Sequence, residues 1–87
     1  MIEIEILKTT MCPNCPPASA IVKKVAAEFK GVVVKETFID KDEKARQRAI
    51  LMGVSYVPTI LINNKVEFES VPKEDDVRKA IKKALEK

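Results

Sequence analysis

Residues 2–29 read IEIEILKTTMCPNCPPASAIVKKVAAEF, and the succession of patterns within them decides the fold. Ile2, Ile4 and Ile6 alternate with Glu3 and Glu5, a period of two that predicts a strand from Ile2 to Lys8. Ala18, Ile21, Val22, Val25, Ala26 and Phe29 then recur at helical spacing, with Lys23, Lys24 and Glu28 opposite. Pro16 and Pro17 suit a first helical turn, whose amides lack partners anyway, and Gly31 is the expected C-cap. Between strand and helix stands Cys12-Pro13-Asn14-Cys15.

Working outward, Val32 to Ile39 is apolar and β-branched enough for a second strand. Asp40 or Asp42 can cap a helix from about Glu43 to Met52, with Gly53 just past its end. Thr59 to Ile62 reads as a third strand, Asn63-Asn64 as a tight hairpin turn and Lys65 to Glu69 as the antiparallel partner. A last helix begins with Glu74-Asp75-Asp76 and ends among Lys82, Lys83 and Lys87, as its dipole favours. Its expected buried stripe is Val77, Ala80, Ile81, Ala84 and Leu85. The predicted order is β-α-β-α-β-β-α, an α/β fold whose first two strands are parallel. One tension stands out. An inner strand covered on both faces should be nearly all apolar, so Glu3 and Glu5 imply thin helix cover at that end of the sheet.

Eighty-seven residues leave room for one domain, 1–87, and no second core. The absences narrow the chemistry. No histidine means no Ser-His-Asp or Cys-His catalysis and no imidazole ligand. Two glycines, Gly31 and Gly53, cannot make a phosphate loop or a dinucleotide fingerprint. The net charge of +3 is mild and its signs are interspersed, and the four aromatic rings are too scattered for a stacking platform, so no nucleic-acid partner is expected. No stretch approaches the roughly 20 apolar residues of a membrane span, and the alternating N-terminus is unlike a signal peptide. A cytoplasmic monomer without membrane association is expected. There, structural disulfides are rare and two cysteines need another explanation.

Cys-x-x-Cys by itself is shared by zinc sites, soft-metal carriers and redox enzymes. Its position sharpens the reading. Placed at the C-terminal end of a strand and the N-terminus of a helix, it faces free amides and the positive dipole end, which favour thiolate. Cys12 is then the exposed attacking thiol and Cys15 the shielded resolving one. Pro13 and Pro16 stiffen the turn. Two ligands are half of what a structural zinc needs. Copper-carrying domains also put Cys-x-x-Cys after a first strand, but run β-α-β-β-α-β and place methionine where this chain has Thr10. Lys8, four residues upstream, either lowers the pKa of Cys12 or is a solvated strand-end lysine. Met11, next to the nucleophile, is expected to be exposed contact surface. Tyr56 either lines a substrate groove or forms a half-buried rim, and the Lys23-Lys24 and Lys82-Lys83 pairs read as solvated helix faces.

With the strand, Cys12-Pro13-Asn14-Cys15, the helix and then Ser55-Tyr56-Val57-Pro58-Thr59 before a hairpin, the chain resembles the thioredoxin and glutaredoxin superfamily over essentially its full length. Among its members the chain is most similar to the small glutaredoxin-like thioredoxins of archaea. The resemblance implies a thioredoxin-like fold, with a four-stranded mixed sheet flanked by three helices. It implies a thiol–disulfide oxidoreductase that reduces protein disulfides and needs no cofactor beyond the Cys12–Cys15 couple. It implies a cis Pro58 beside that couple and a Val57 backbone offered to an extended substrate. Thioredoxin reductase is the implied electron donor. The alternative is a glutathione-dependent glutaredoxin.

This chain departs from the family pattern at four places. Asn14 replaces the usual glutaredoxin aromatic, and Met11 replaces the thioredoxin tryptophan. The buried thioredoxin acid would fall near Ile6, so the Cys15 proton must leave by water or another group. Glu69-Ser70-Val71-Pro72 replaces the glutaredoxin Gly-Gly-x-Asp turn that holds glutathione.

Overall fold

The computed structural model describes residues 2–13, 15–54 and 56–86. Its elements are β1 (Ile2–Lys8), α1 (Cys15–Ala26), β2 (Val32–Phe38), α2 (Glu43–Leu51), β3 (Thr59–Ile62), β4 (Lys65–Phe68) and α3 (Glu74–Leu85). They form one four-stranded sheet in the order β2-β1-β3-β4. β1 runs parallel to β2 and antiparallel to β3, and β3 pairs antiparallel with β4. The mixed α/β sheet with three helices is the architecture expected from the sequence.

Period-two alternation sorts the β1 side chains between two helix layers. Ile2, Ile4 and Ile6 face α1 and α3, forming the larger core with Val22, Val25, Ile60, Val77 and Ile81. Leu7 faces the other way, onto a smaller cluster with Leu61 and Ala49 of α2. Met52 packs at the edge of that cluster. Burying each large aliphatic side chain contributes about 1.5–3 kcal/mol, so the α1–sheet–α3 layer carries most of the stability.

Three local features depart from the sequence reading, and a further one selects between its alternatives. α1 stops at Ala26, and Glu28 and Phe29 donate to carbonyls three residues back, a tightened turn that keeps Phe29 against the core. Gly31 is therefore not the helix cap. It takes φ 77° and enters β2, its carbonyl accepting from the Ile2 amide at 2.8 Å. Asp42, not Asp40, caps α2 by accepting from the Lys44 and Ala45 amides. Leu85 is 46% exposed and does not join the buried stripe of α3.

Helix cover is not thin at Glu5. Glu3 is exposed, but Glu5 is only 3% exposed beneath α2. Arg48 donates to one carboxylate oxygen and the Thr37 hydroxyl to the other at 2.6 Å. Burial pushes the Glu5 carboxyl up, but the Arg48 and Thr37 hydrogen bonds and the Arg48 charge outweigh it and leave it below its ordinary value. The tension in β1 is resolved by pairing, not by exposure.

Candidate functional site

The site sits where β1 ends and α1 begins. The loop after Lys8 is tied down at Thr10, whose amide donates to the Asp40 carboxylate at 2.9 Å. Asp40 is thus a loop anchor, held below the ordinary carboxylate range by that bond. Cys12 and Cys15 are joined in a disulfide with their Cα atoms 5.4 Å apart. Cys12 is partly exposed, whereas Cys15 opens α1 and is 2% exposed. Of the two residues, Cys12 is the more exposed, the order of exposure expected from the sequence. Pro13 is exposed beside the pair, and Asn14 lies outside the described residues.

Pro58 comes to the same end of the sheet by register. Leu7 pairs with Thr59 across the antiparallel β1–β3 ladder, so the residue before Thr59 reaches the level of Lys8. The Val57–Pro58 peptide is cis, and Pro58 is fully buried. The Thr59 hydroxyl donates to the Tyr56 carbonyl, pinning the approach to β3. Val57 is half-buried. Tyr56 is 66% exposed, more open than a half-buried rim residue, and Met11 is 90% exposed. Together they leave two large apolar side chains in solvent, on loops entering the same end of the sheet.

Between α1 and the β1–β2 pair lies a charged cluster that local pattern did not reveal. One Glu36 oxygen accepts from Lys8 Nζ and Ser19 Oγ, both at 2.7 Å, and the other pairs with Lys23 Nζ at 2.7 Å. Lys8 also sits over the Phe38 ring, 4.8 Å from its centroid. Lys8 is therefore not a solvated strand end, and Lys23 is not simply a solvated face. The hydrogen bonds from Lys23, Lys8 and Ser19 outweigh burial and hold the Glu36 carboxyl down at about 2.

A carboxyl depressed in the fold adds stability above its unfolded value of about 4.5, and that stability is lost as pH falls toward 2. Because part of the cluster is solvated, a discounted contribution of about 1–2 kcal/mol is expected. Urea midpoints of the wild type should fall between pH 7 and pH 3, and Glu36→Gln should flatten that slope. An unchanged slope in the variant would contradict the expectation.

A family model described as "Thioredoxin domain" matches residues 2–82. The chain is 40% identical over 84 residues to a thioredoxin of Methanocaldococcus jannaschii, covering 97% of this chain and 96% of the relative. It is 34% identical to a probable thioredoxin of Archaeoglobus fulgidus, covering 95% and 89%. Among solved structures it superposes on chloroplastic thioredoxin z with a TM-score of 0.80 at 17% identity, covering 100% of this chain and 80% of the other. A thioredoxin mutant from Halobacterium salinarum gives 0.74 at 19%, covering 94% and 73%. These two superpositions speak to the fold alone. The element order also differs from the β-α-β-β-α-β of copper carriers.

Proposed function

The chain belongs to the thioredoxin family and is a protein-disulfide oxidoreductase, and from that premise we propose how its residues divide the reaction. One observation carries the division: a single disulfide whose two cysteines differ in exposure, Cys12 partly open and Cys15 buried at the start of α1. In the reduced protein the Cys12 thiolate attacks a substrate disulfide. A Cys12–substrate disulfide forms and the other substrate sulfur leaves as thiolate. The Cys15 thiolate then attacks the Cys12 sulfur, releasing the second substrate thiolate and restoring the Cys12–Cys15 disulfide. Two electrons pass to the substrate, and the couple itself is the redox group, with no added cofactor. Pro13 and Pro16, which lack amide hydrogens and fix φ, stiffen the turn that carries the pair. Met11, Tyr56 and the Val57 backbone receive the substrate segment, with Pro58 fixing the floor.

The donor in this reading is a flavin-dependent thioredoxin reductase using a nicotinamide, and the protein acts as a cytoplasmic monomer. No helix among the described residues is long and apolar enough to cross a membrane. Glutathione is the weaker donor. Its second carboxylate would need amides at the turn before α3, where Pro72 has none to give and Lys73 makes no side-chain cap. Lys8, a cation able to compensate if free, is committed to Glu36. Losing one fixed anion site weakens binding by about tenfold or more. Turnover with the reductase and its nicotinamide is expected to exceed that with millimolar glutathione and glutathione reductase by at least that factor. Brisk glutathione-driven turnover with no response to thioredoxin reductase would reverse the donor.

A further inference from the structure

We propose that Glu36 is a positioning residue for the dithiol, setting how much positive charge Lys8 and Lys23 present to it. Three observations carry this. Lys8 ends β1, four residues before Cys12, and its ammonium is turned to Glu36 at 2.7 Å. Ser19 lies one helical turn beyond Cys15, both are buried, and its hydroxyl donates to the same Glu36 oxygen. Lys23, one turn further along α1, closes the cluster on the second oxygen. Residues four apart on a helix have Cβ atoms about 6 Å from each other, and the Ser19–Glu36 bond adds 2.7 Å, so the carboxylate lies within about 12 Å of the Cys15 sulfur.

A different role, in which Glu36 takes the Cys15 proton through Ser19, fails on energetics. A carboxyl held at about 2 is a poor acceptor from a thiol whose ordinary pKa is about 8.5. The cluster acts through its charge instead. Two ammonium groups against one carboxylate leave a net charge of +1 along α1, beginning one turn beyond Cys15 at Ser19. Other charges at this end include Lys41, 5.9 Å from the Phe38 ring centroid, and Asp40, bonded to the Thr10 amide. A net positive charge favours thiolate and stabilises the reduced state. Glu36 moderates that effect, and Lys8 supplies it.

The inference rests on Cys12–Cys15 being the reactive couple, so its test reads the thiols directly. Reduced wild type, Glu36→Gln, Lys8→Met and the double variant are titrated by thiolate ultraviolet absorbance and equilibrated with glutathione buffers. Glu36→Gln should lower the first thiol pKa by about half a unit to one unit, and Lys8→Met should raise it by a similar amount. The double variant keeps a net +1 and should return near wild type, which lost packing alone would not produce. The glutathione equilibria should move by about threefold to tenfold, toward the dithiol in Glu36→Gln and toward the disulfide in Lys8→Met. If Glu36→Gln does not fold, Lys23→Gln at the exposed end of the cluster should give a smaller upward shift. Salt at 1 M should collapse the differences between variants. Shifts of the same sign in both single variants, or superimposable titrations, would overturn the role of Glu36 while leaving the couple intact. A wild type that does not equilibrate with glutathione at all would instead remove the couple, and with it the premise.

Discussion

Cys12→Ser should reduce insulin disulfides no faster than the uncatalysed background, while Cys15→Ser should stop after one step. A serine hydroxyl at position 12 is un-ionised at neutral pH, so no nucleophile remains at the exposed end of the pair. The buried Cys15 cannot replace it, being 2% exposed. In Cys15→Ser the attack still occurs, but nothing displaces the substrate from Cys12. A one-to-one mixed disulfide should accumulate, visible as a mass increase that dithiothreitol reverses. Full activity in Cys12→Ser, or a trapped adduct in Cys12→Ser rather than Cys15→Ser, would assign the roles the other way or dismiss them.

The second large effect is on stability, far from the sulfurs. Arg48→Met should cost about 2–3 kcal/mol at pH 7, because it leaves the Glu5 carboxylate buried with only Thr37 for company. The figure lies at the low end for a broken buried pair because the Arg48 side chain is 42% exposed. The pH dependence fixes the cause. In the wild type Glu5 is held below its ordinary value, so its contribution is present above about 4.5 and lost in acid. Without Arg48, burial is opposed by the Thr37 hydrogen bond and the Lys35 charge but remains the largest influence, and it lifts the folded carboxyl above its unfolded value. That penalty is complete at neutral pH and disappears as pH falls through the raised value. The gap between wild type and variant in urea midpoint should therefore narrow between about pH 6 and pH 3. Glu5→Leu combined with Arg48→Met removes both charges and should recover most of the loss. A gap independent of pH would point to lost arginine packing instead.

Much of the scaffold was legible because its signals are local. Asn63 and Asn64 adopt φ 52° and 66°, the left-handed pair that a two-residue hairpin requires. Gly53, with φ 76° just past α2, is likewise marked by residue type. The end of α1 is not marked in the sequence, because Phe29 stays on the apolar side whether the backbone turns at 3.6 or 3.0 residues per turn. Cys12 and Cys15 were legible from spacing and position, and Pro58 from resemblance. The charged partners were not. Glu5 faces away from α1 as alternation demands, but its partner is 43 residues distant on a helix whose docking no local pattern states. A signal did exist: Arg48 shares a helix face with the buried Ala45 and Ala49, and so points toward the sheet. The Glu36 cluster draws on β1, α1 and β2 at once, and only the parallel β1–β2 register, with Lys8 opposite Phe38, brings it together.

The most direct test of a Cys12–Cys15 redox couple is its equilibrium potential, measured by alkylating the protein after exchange with graded dithiothreitol and glutathione buffers. Both thiols should appear together in one two-electron step, at about −270 mV, the range of reducing thioredoxins. A disulfide that resists reduction to below about −300 mV and passes no electrons to insulin would be a structural staple, and would contradict the assignment.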